Sequence, residues 1–399
     1  MCIISRAPFS RRAIRVTAGT MLLALCASTA LADAPGVTAT EITIGTPMPL
    51  SGPVRLVSEP YEIGLRTGIN EINDNGGING RKINFVVEDD AYQPARSLAI
   101  AKKLIDRDGI FAIYGCFGTP NCEAVRTYTE QKAIPLATYS ALKGANTTSP
   151  EAENTTFALT ASYGAVSYSL VKYFTGEMGL KNIGFLYQND DLGANARKGL
   201  EKALGEAGLK LGVDVGYERT TTDFSTHILK LRDANPDAVI AMGTAPALGA
   251  AIKKANEIGF KPVWGTYLIG ESQIMTSLVG PGIDGMVYAT DTESRYSSSP
   301  EATRVRELIA KYYPDAKVDL LTIQGYAQAK LLGQALEAAG KDPTRESFLA
   351  AMRDIDFDAG MMQLNYKDGK DIGAAALKLY RWKGDKPEAV SDWVKIESD

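Results

Sequence analysis

A single histidine, His227, occurs in 399 residues, and only four cysteines, two of them in the first 26 positions. One histidine leaves triad chemistry with one candidate base and leaves a zinc site short of ligands. His227 falls on the polar face of a helical pattern, which suits solvent better than catalysis. Gly-x-Ser-x-Gly, His-Glu-x-x-His and a Walker loop are also missing. The glycines of NDNGGINGRKI (73–83) lie between a helix and a strand, where they end one element and turn into the next. A dinucleotide loop would follow a strand and open a helix. No catalytic residue, metal site or cofactor is therefore expected. After the first 32 residues, no apolar run is long enough to cross a bilayer.

Those first 32 residues carry Arg6, Arg11, Arg12 and Arg15 and no acid, then an apolar stretch ending Ala30-Leu31-Ala32. This is the layout of a secretory signal peptide, with cleavage expected after Ala32 and a periplasmic destination. Arg11-Arg12 is a poor match to the twin-arginine signal, and Leu25 is too large for a lipoprotein cysteine at Cys26. Losing the four arginines takes the net charge from −4 to −8. That balance argues against nucleic acid as a partner. Cys2 and Cys26 leave with the leader, so the remaining pair is Cys116 and Cys122, in CFGTPNC. Two cysteines close together in an exported chain read as a disulfide. Five residues between the thiols is too many for the usual redox motif. Two free thiols are the plain alternative.

Strand and helix signals then alternate. Strands are expected at 41–48, 82–89, 109–115 and 133–139, with helices at 60–75, 94–107 and 120–131. A second set comes after, with strands at 182–187, 211–219, 237–243 and 261–267 and helices at 164–179, 192–207, 224–234 and 246–259. The alternation predicts α/β architecture with parallel sheets, and its repetition predicts two similar lobes. The tail breaks the rhythm: helices at 301–313, 323–339 and 344–354 come in series, then strands at 361–366, 376–382 and 392–396.

The ordered set PLSGP (49–53), GGINGRKI (76–83), EDDAYQP (88–94), the glycine-rich loop at 115–119 and DFSTHILKLRDANPDAVI (223–240) resembles the type I periplasmic solute-binding proteins. The branch it resembles is the leucine/isoleucine/valine-binding one that serves ABC importers. The resemblance runs from about Glu41 to the C-terminus. It implies two Rossmann-like lobes with parallel central sheets, joined by a three-strand hinge. Lobe 1 would hold 41–160 plus 291–360, and lobe 2 would hold 161–290 plus 361–399. It also implies a small carboxylate or amino acid in the cleft, an ABC transporter permease as partner, and a monomer. In many relatives the partner of Cys116 would lie in the EDDAYQP loop, where this chain has Tyr92.

Ligands of open α/β sheets bind beyond the carboxyl ends of the strands. The loops that qualify start with PLSGPVR, which offers Ser51 and Arg55. CFGTPN offers Phe117, Gly118 and Thr119, with Thr119 expected as N-cap and Pro120 as first helical residue. Such a helix start aims free N–H groups at the cleft, which suits a carboxylate. YSALKG offers Tyr139, Ser140 and Ala141, but Leu142 lacks the hydroxyl that relatives turn toward an amino group. From the second set come Leu192, Ala245 and Tyr267. Relatives that bind amino acids carry an acid near Tyr267; here Glu271 falls about four residues late. The expected ligand is thus a carboxylate with an apolar or aromatic body, unless Glu271 reaches an ammonium. Asp190 and Asp191 read as helix capping. The leading function is solute capture for an importer. The alternatives are a sensing domain for a receptor, a binding protein for an amide or urea-type solute, and an enzyme.

Overall fold

The computed structural model describes residues 1–3, 34–139 and 155–396. Residues 1–32 and 33–399 form separate units, and the second contains every strand and helix named below. Ser140, Ala141 and the leader's cleavage point lie outside the described residues.

Two sheets organise the chain. The first takes β1 (Glu41–Met48), β2 (Lys82–Asp89), β3 (Ile113–Cys116), β4 (Leu136–Thr138) and β5 (Thr156–Ala158) in the order β2-β1-β3-β4-β5. Every pairing in it is parallel. The connecting helices are α1 (Arg55–Asp74), α2 (Pro94–Lys102) and α3 (Thr119–Gln131). Then α4 (Tyr163–Lys172) leads into β6 (Ile183–Gln188), α5 (Asp191–Glu206), β7 (Val213–Tyr217), α6 (Ser225–Ala234), β8 (Ala238–Met242), α7 (Ala245–Glu257), β9 (Val263–Tyr267), α8 (Gln273–Val279) and β10 (Val287–Thr290). These strands order as β7-β6-β8-β9-β10, again parallel. The strand order of the first sheet is therefore repeated in the second. So is a smaller feature: α2 and α4 both unwind into a π-turn, Lys103–Arg107 and Tyr173–Glu177, shortly before a left-handed glycine, Gly109 or Gly179. The expected pair of like α/β lobes is the observed fold.

The serial tail helices are α9 (Pro300–Tyr312), α10 (Leu320–Ala338) and α11 (Arg345–Arg353), followed by the short pair β11 (Asp356–Asp358) and β12 (Gln363–Asn365). The chain then adds β13 (Ala376–Lys383) antiparallel to β10, with β14 (Lys386–Ala389) and β15 (Val394–Lys395) on β13. Three segments thus run between the sheets: after β5, after β10 and before β13. Isolated bridges Ala158↔Ile372 and Thr292↔Met362 hold these segments beside one another. Asp291 ties two of them: one carboxylate oxygen accepts from Thr160 Oγ1 and from the Ala161 N–H, each at 2.7 Å, and the other from Gln324 of α10 at 3.0 Å.

Helix α1 begins five residues before the expected start. Pro60 reads as a first-turn signal, yet it sits inside α1. Ser58 donates back to the Pro49 carbonyl and locks the earlier turn. Helix α1 crosses α10 at glycines. A Cβ on Gly64 would stand 2.2 Å from the Thr322 carbonyl oxygen, and one on Gly325 would stand 2.3 Å from that of Tyr61. Backbone meets backbone there, and Tyr61 and Tyr114 reach past it to Gln328 at 2.5 and 2.6 Å. Gly325→Val should accordingly destabilise the protein by about 3 kcal/mol in urea unfolding, since no flexible side chain can yield. Gly205→Ala, on the exposed side of α5 with nothing within 4 Å, should instead be neutral or stabilising by up to about 1 kcal/mol.

Candidate functional site

Order 2-1-3-4-5 places a topological switch point between the first and third strands of each sheet, where the flanking loops part and leave a crevice. In sheet one those loops come after β1 and β3; in sheet two they come after β6 and β8. One cavity collects all four. Val54 and Val57 enter it from the start of α1, Phe117, Gly118 and Thr119 from α3, Leu192 from α5, and Thr244 and Ala245 from α7. Tyr163 from the start of α4, with Tyr92, Tyr139, Tyr267 and Ile269, completes the wall. It encloses about 380 Å³, its opening included. A second chamber adjoins it and shares Tyr139, Tyr163 and Tyr267; it reaches Thr160, Asp291 and Leu377 at the segments between the sheets.

Three of these helix starts have no side chain capping them. At α1 the first amides bond instead to the carbonyls of Gly52, Pro53 and Val54, which leaves α3, entered through Gly118, and α7, entered through Thr244. Each has proline at its second position. The expected cap is shifted by one residue: Gly118, at φ 94°, is the N-cap, and Thr119 is already helical. The reason is room. A Cβ on Gly118 would come within 2.7 Å of the Tyr92 ring. Tyr92 is held there by its own turn, with Ala91 and Tyr92 both left-handed at φ 51° and 59°. Asp90 fixes that turn by accepting from the Tyr92 N–H at 2.8 Å, from Ser97 at 2.7 Å and from Asn121 of α3 at 2.8 Å. Burial raises the Asp90 carboxyl, against these donors. The Cys116–Cys122 disulfide, with Cα atoms 5.9 Å apart, closes the far side of the same turn. Both of its cysteines are fully buried in the core under α2 and α3. The loop is thus fixed on both flanks before any ligand arrives.

The walls are aromatic. Phe117 stacks on Tyr139 at 4.4 Å, and Tyr163 meets Tyr267 edge-on at 5.2 Å. Contacts bridge the sheets around the mouth. Gln188 donates to the Tyr92 hydroxyl at 3.3 Å, Thr119 lies 3.4 Å from the Tyr163 hydroxyl, and Arg219 lies 5.8 Å over the Tyr92 ring. Among the described residues none that lines the cavity is charged.

A family model described as periplasmic binding protein matches residues 41–387. The chain belongs to the periplasmic binding proteins. It is 24% identical to the leucine-, isoleucine-, valine-, threonine- and alanine-binding protein of Pseudomonas aeruginosa, over 87% of this chain and 91% of that protein. It is 26% identical to a Leu/Ile/Val-binding protein homolog of Brucella suis, over 86% and 88%. A branched-chain amino acid ABC transporter protein from Thermus thermophilus, solved with valine, shares its fold at TM-score 0.81, 18% identity and coverage of 90% and 97%. So does a solute-binding protein from R. palustris in complex with benzoate, at TM-score 0.78, 19% identity and coverage of 90% and 98%.

Within this binding protein, Phe117, Gly118, Thr119, Tyr139, Leu192, Ala245 and Tyr267 lie together on the cavity wall. The remaining candidates lie elsewhere. Arg55 is exposed and pairs with Glu59 one turn along α1 at 2.8 Å. Ser51 is exposed and bonds Asp89. Glu271 is buried behind the wall, taken up by the Tyr288 hydroxyl, Ser294 and the Arg295 N–H at 2.6 Å. The short helix Leu268–Glu271 swings its carboxylate away from Tyr267 and the cleft. Asp190 caps α5 through the Leu192 N–H at 3.0 Å, as expected. His227 is half-buried and packs on Phe224. Val54, Val57, Tyr92, Tyr163, Thr244 and Ile269 join the wall without having been candidates from the sequence. Tyr92 and Thr244 stand just past strand ends, so the rule that selects the other loops also reaches them.

Two outcomes are expected from this geometry. Replacing both Cys116 and Cys122 by serine frees the turn in the unfolded chain and should lower stability by about 2 kcal/mol in urea unfolding. Burial also pushes the Glu271 carboxyl up to about 7. Its proton therefore binds the folded state more tightly than the unfolded one. That contribution is complete below about pH 4.5 and gone above about pH 7. The stability of wild type relative to Glu271→Gln should fall by up to about 3 kcal/mol across that window and stay level above it, as read from urea midpoints at each pH.

Proposed function

We propose that this binding protein is exported, loses its leader after Ala32, and captures a small carboxylate between its lobes for delivery to an ABC importer. The observation that carries the reading is the pair of uncapped helix starts, α3 and α7, that reach one cavity from opposite sheets. Each offers unshared N–H groups and the positive end of a helix dipole, so an anion is favoured where they converge. The aromatic and aliphatic wall takes the rest of the solute. A relative named for five amino acids and a fold neighbour holding benzoate both fit this class of ligand.

Lobe 1 would be 41–160 plus 291–360, and lobe 2 would be 161–290 plus 361–399. Contacts of Tyr366 with Phe157 and with the Ala158 carbonyl favour a third crossing nearer residue 375 than 361. Closure would be a hinge motion about the three segments. The Tyr92–Gln188 and Thr119–Tyr163 contacts belong to the closed form. Among the described residues no group in the cavity is arranged as nucleophile and base, which favours binding without turnover; the protein would act as a monomer.

Ligand at a hundred times its Kd should stabilise the fold by about 2.7 kcal/mol, read as a higher Tm. It should also reduce the radius of gyration in X-ray scattering. Scattering unchanged at saturation would contradict closure, and conversion of a bound acid would contradict binding without turnover.

A further inference from the structure

Resting on that carboxylate reading, we infer that the cavity selects acids lacking an α-ammonium group, with the Tyr139 hydroxyl as a further donor to the ligand. An ammonium carries three donors and needs acceptors, ordinarily including a carboxylate. Among the described residues, Glu271 and Asp190 stand behind the wall and Asp291 lines the adjoining chamber, and each is already engaged. Glu271 holds the Tyr288 hydroxyl and the Arg295 N–H. Asp190 holds the Leu192 N–H and, at 2.6 Å, the Gln188 amide. Asp291 holds Thr160, Ala161 and Gln324. Glu271 and Asp190 cannot turn to a ligand without leaving one of these donors unmade, and three of the roughly four acceptor sites of Asp291 are already taken. The Tyr267 hydroxyl also has its proton committed, to the Gly243 carbonyl at 2.8 Å.

Tyr139 is the opposite case. It is 3% exposed, lines both chambers, and its hydroxyl has no partner among the described residues. Burial raises its pKa well above the ordinary tyrosine value, so it stays a donor. A buried donor left unmade is costly, and a ligand acceptor removes that cost. The cavity therefore offers N–H and O–H donors with aromatic faces between them and, among the described residues, no carboxylate with all its acceptor sites free for an ammonium. This suits an anion and opposes a zwitterion.

Matched pairs test this by calorimetry on the mature protein: phenylacetate against phenylglycine, and 4-methylpentanoate against leucine. Phenylacetamide serves as the neutral control. The des-amino acid of a pair should bind at least about 30-fold more tightly, the cost of an unpaired buried ammonium. The amide should bind more weakly than its acid. Tyr139→Phe keeps the ring stack and should weaken the preferred acid about fivefold. Amino acids binding as tightly as their des-amino partners would overturn the inference and leave the carboxylate reading standing. The amide matching its acid, or no acid binding, would overturn the carboxylate reading itself. Unchanged affinity in Tyr139→Phe would remove Tyr139 from the site.

Discussion

Parallel strands all end on the same edge, so the helices that come after them all begin there. In this protein two sheets of the same strand order turn those edges toward one cavity. The N-termini of α1, α3, α4, α5 and α7 contribute to its wall. Backbone amides at a helix start cannot be satisfied by their own helix. Where a side chain caps them, as Ser162 caps α4 and Asp190 caps α5, the need is met internally. At α3 and α7 no side chain does so. At α1 the carbonyls of Gly52, Pro53 and Val54 take the first amides, so two starts in a ring of five, one from each sheet, are left for something else. A solute that satisfies both must hold the two sheets together, so binding and closure become one event.

Such a site works only if its donors are held in place without the ligand. The turn before α3 is fixed three times over, by the disulfide, by the Asp90–Ser97–Asn121 network and by Tyr92 packed against a residue with no side chain. Each constraint removes freedom that binding would otherwise have to remove, and affinity gains accordingly. The left-handed backbone at Ala91 and Tyr92 is strained for residues with side chains. The buried hydrogen bonds of Asp90 offset that strain.

Much of this is legible from residues alone. Strands β1 and β2 fall on the expected residues, because EITIGTPM and KINFVVED are bounded by clear turns. Candidates chosen as residues just past strand ends mostly meet on one wall, since that position is a property of topology. What is not legible depends on side-chain direction or on long-range contact. Glu271 is near Tyr267 in sequence, but one short helix sends its carboxylate behind the wall to Tyr288. Arg55 falls in the right loop, but α1 starts early and gives it Glu59 as an in-helix partner. Strands β5, β10, β11 and β14, three or four residues each, carry too short a pattern to separate from loop.

The closed form must also be able to open. Among the described residues, the contacts that join the sheets at Tyr92 and Tyr163 are individually weak: one amide to a phenol at 3.3 Å, one long hydroxyl contact, and one guanidinium over a ring. At about 1 kcal/mol or less apiece, they cannot hold the lobes shut against the entropy of an open cleft. The segments between the sheets are different. Asp291, buried in the second crossing, holds donors from the first crossing and from α10, and Gln328 joins α10 to the Leu159 carbonyl at 2.8 Å. Strength is concentrated at the hinge and scarce at the mouth. A hinge strong enough to keep the lobes in register, with a mouth too weak to stay closed alone, makes the ligand's own contacts decide which state is populated. An importer that distinguishes closed from open would then be reading occupancy of the cavity.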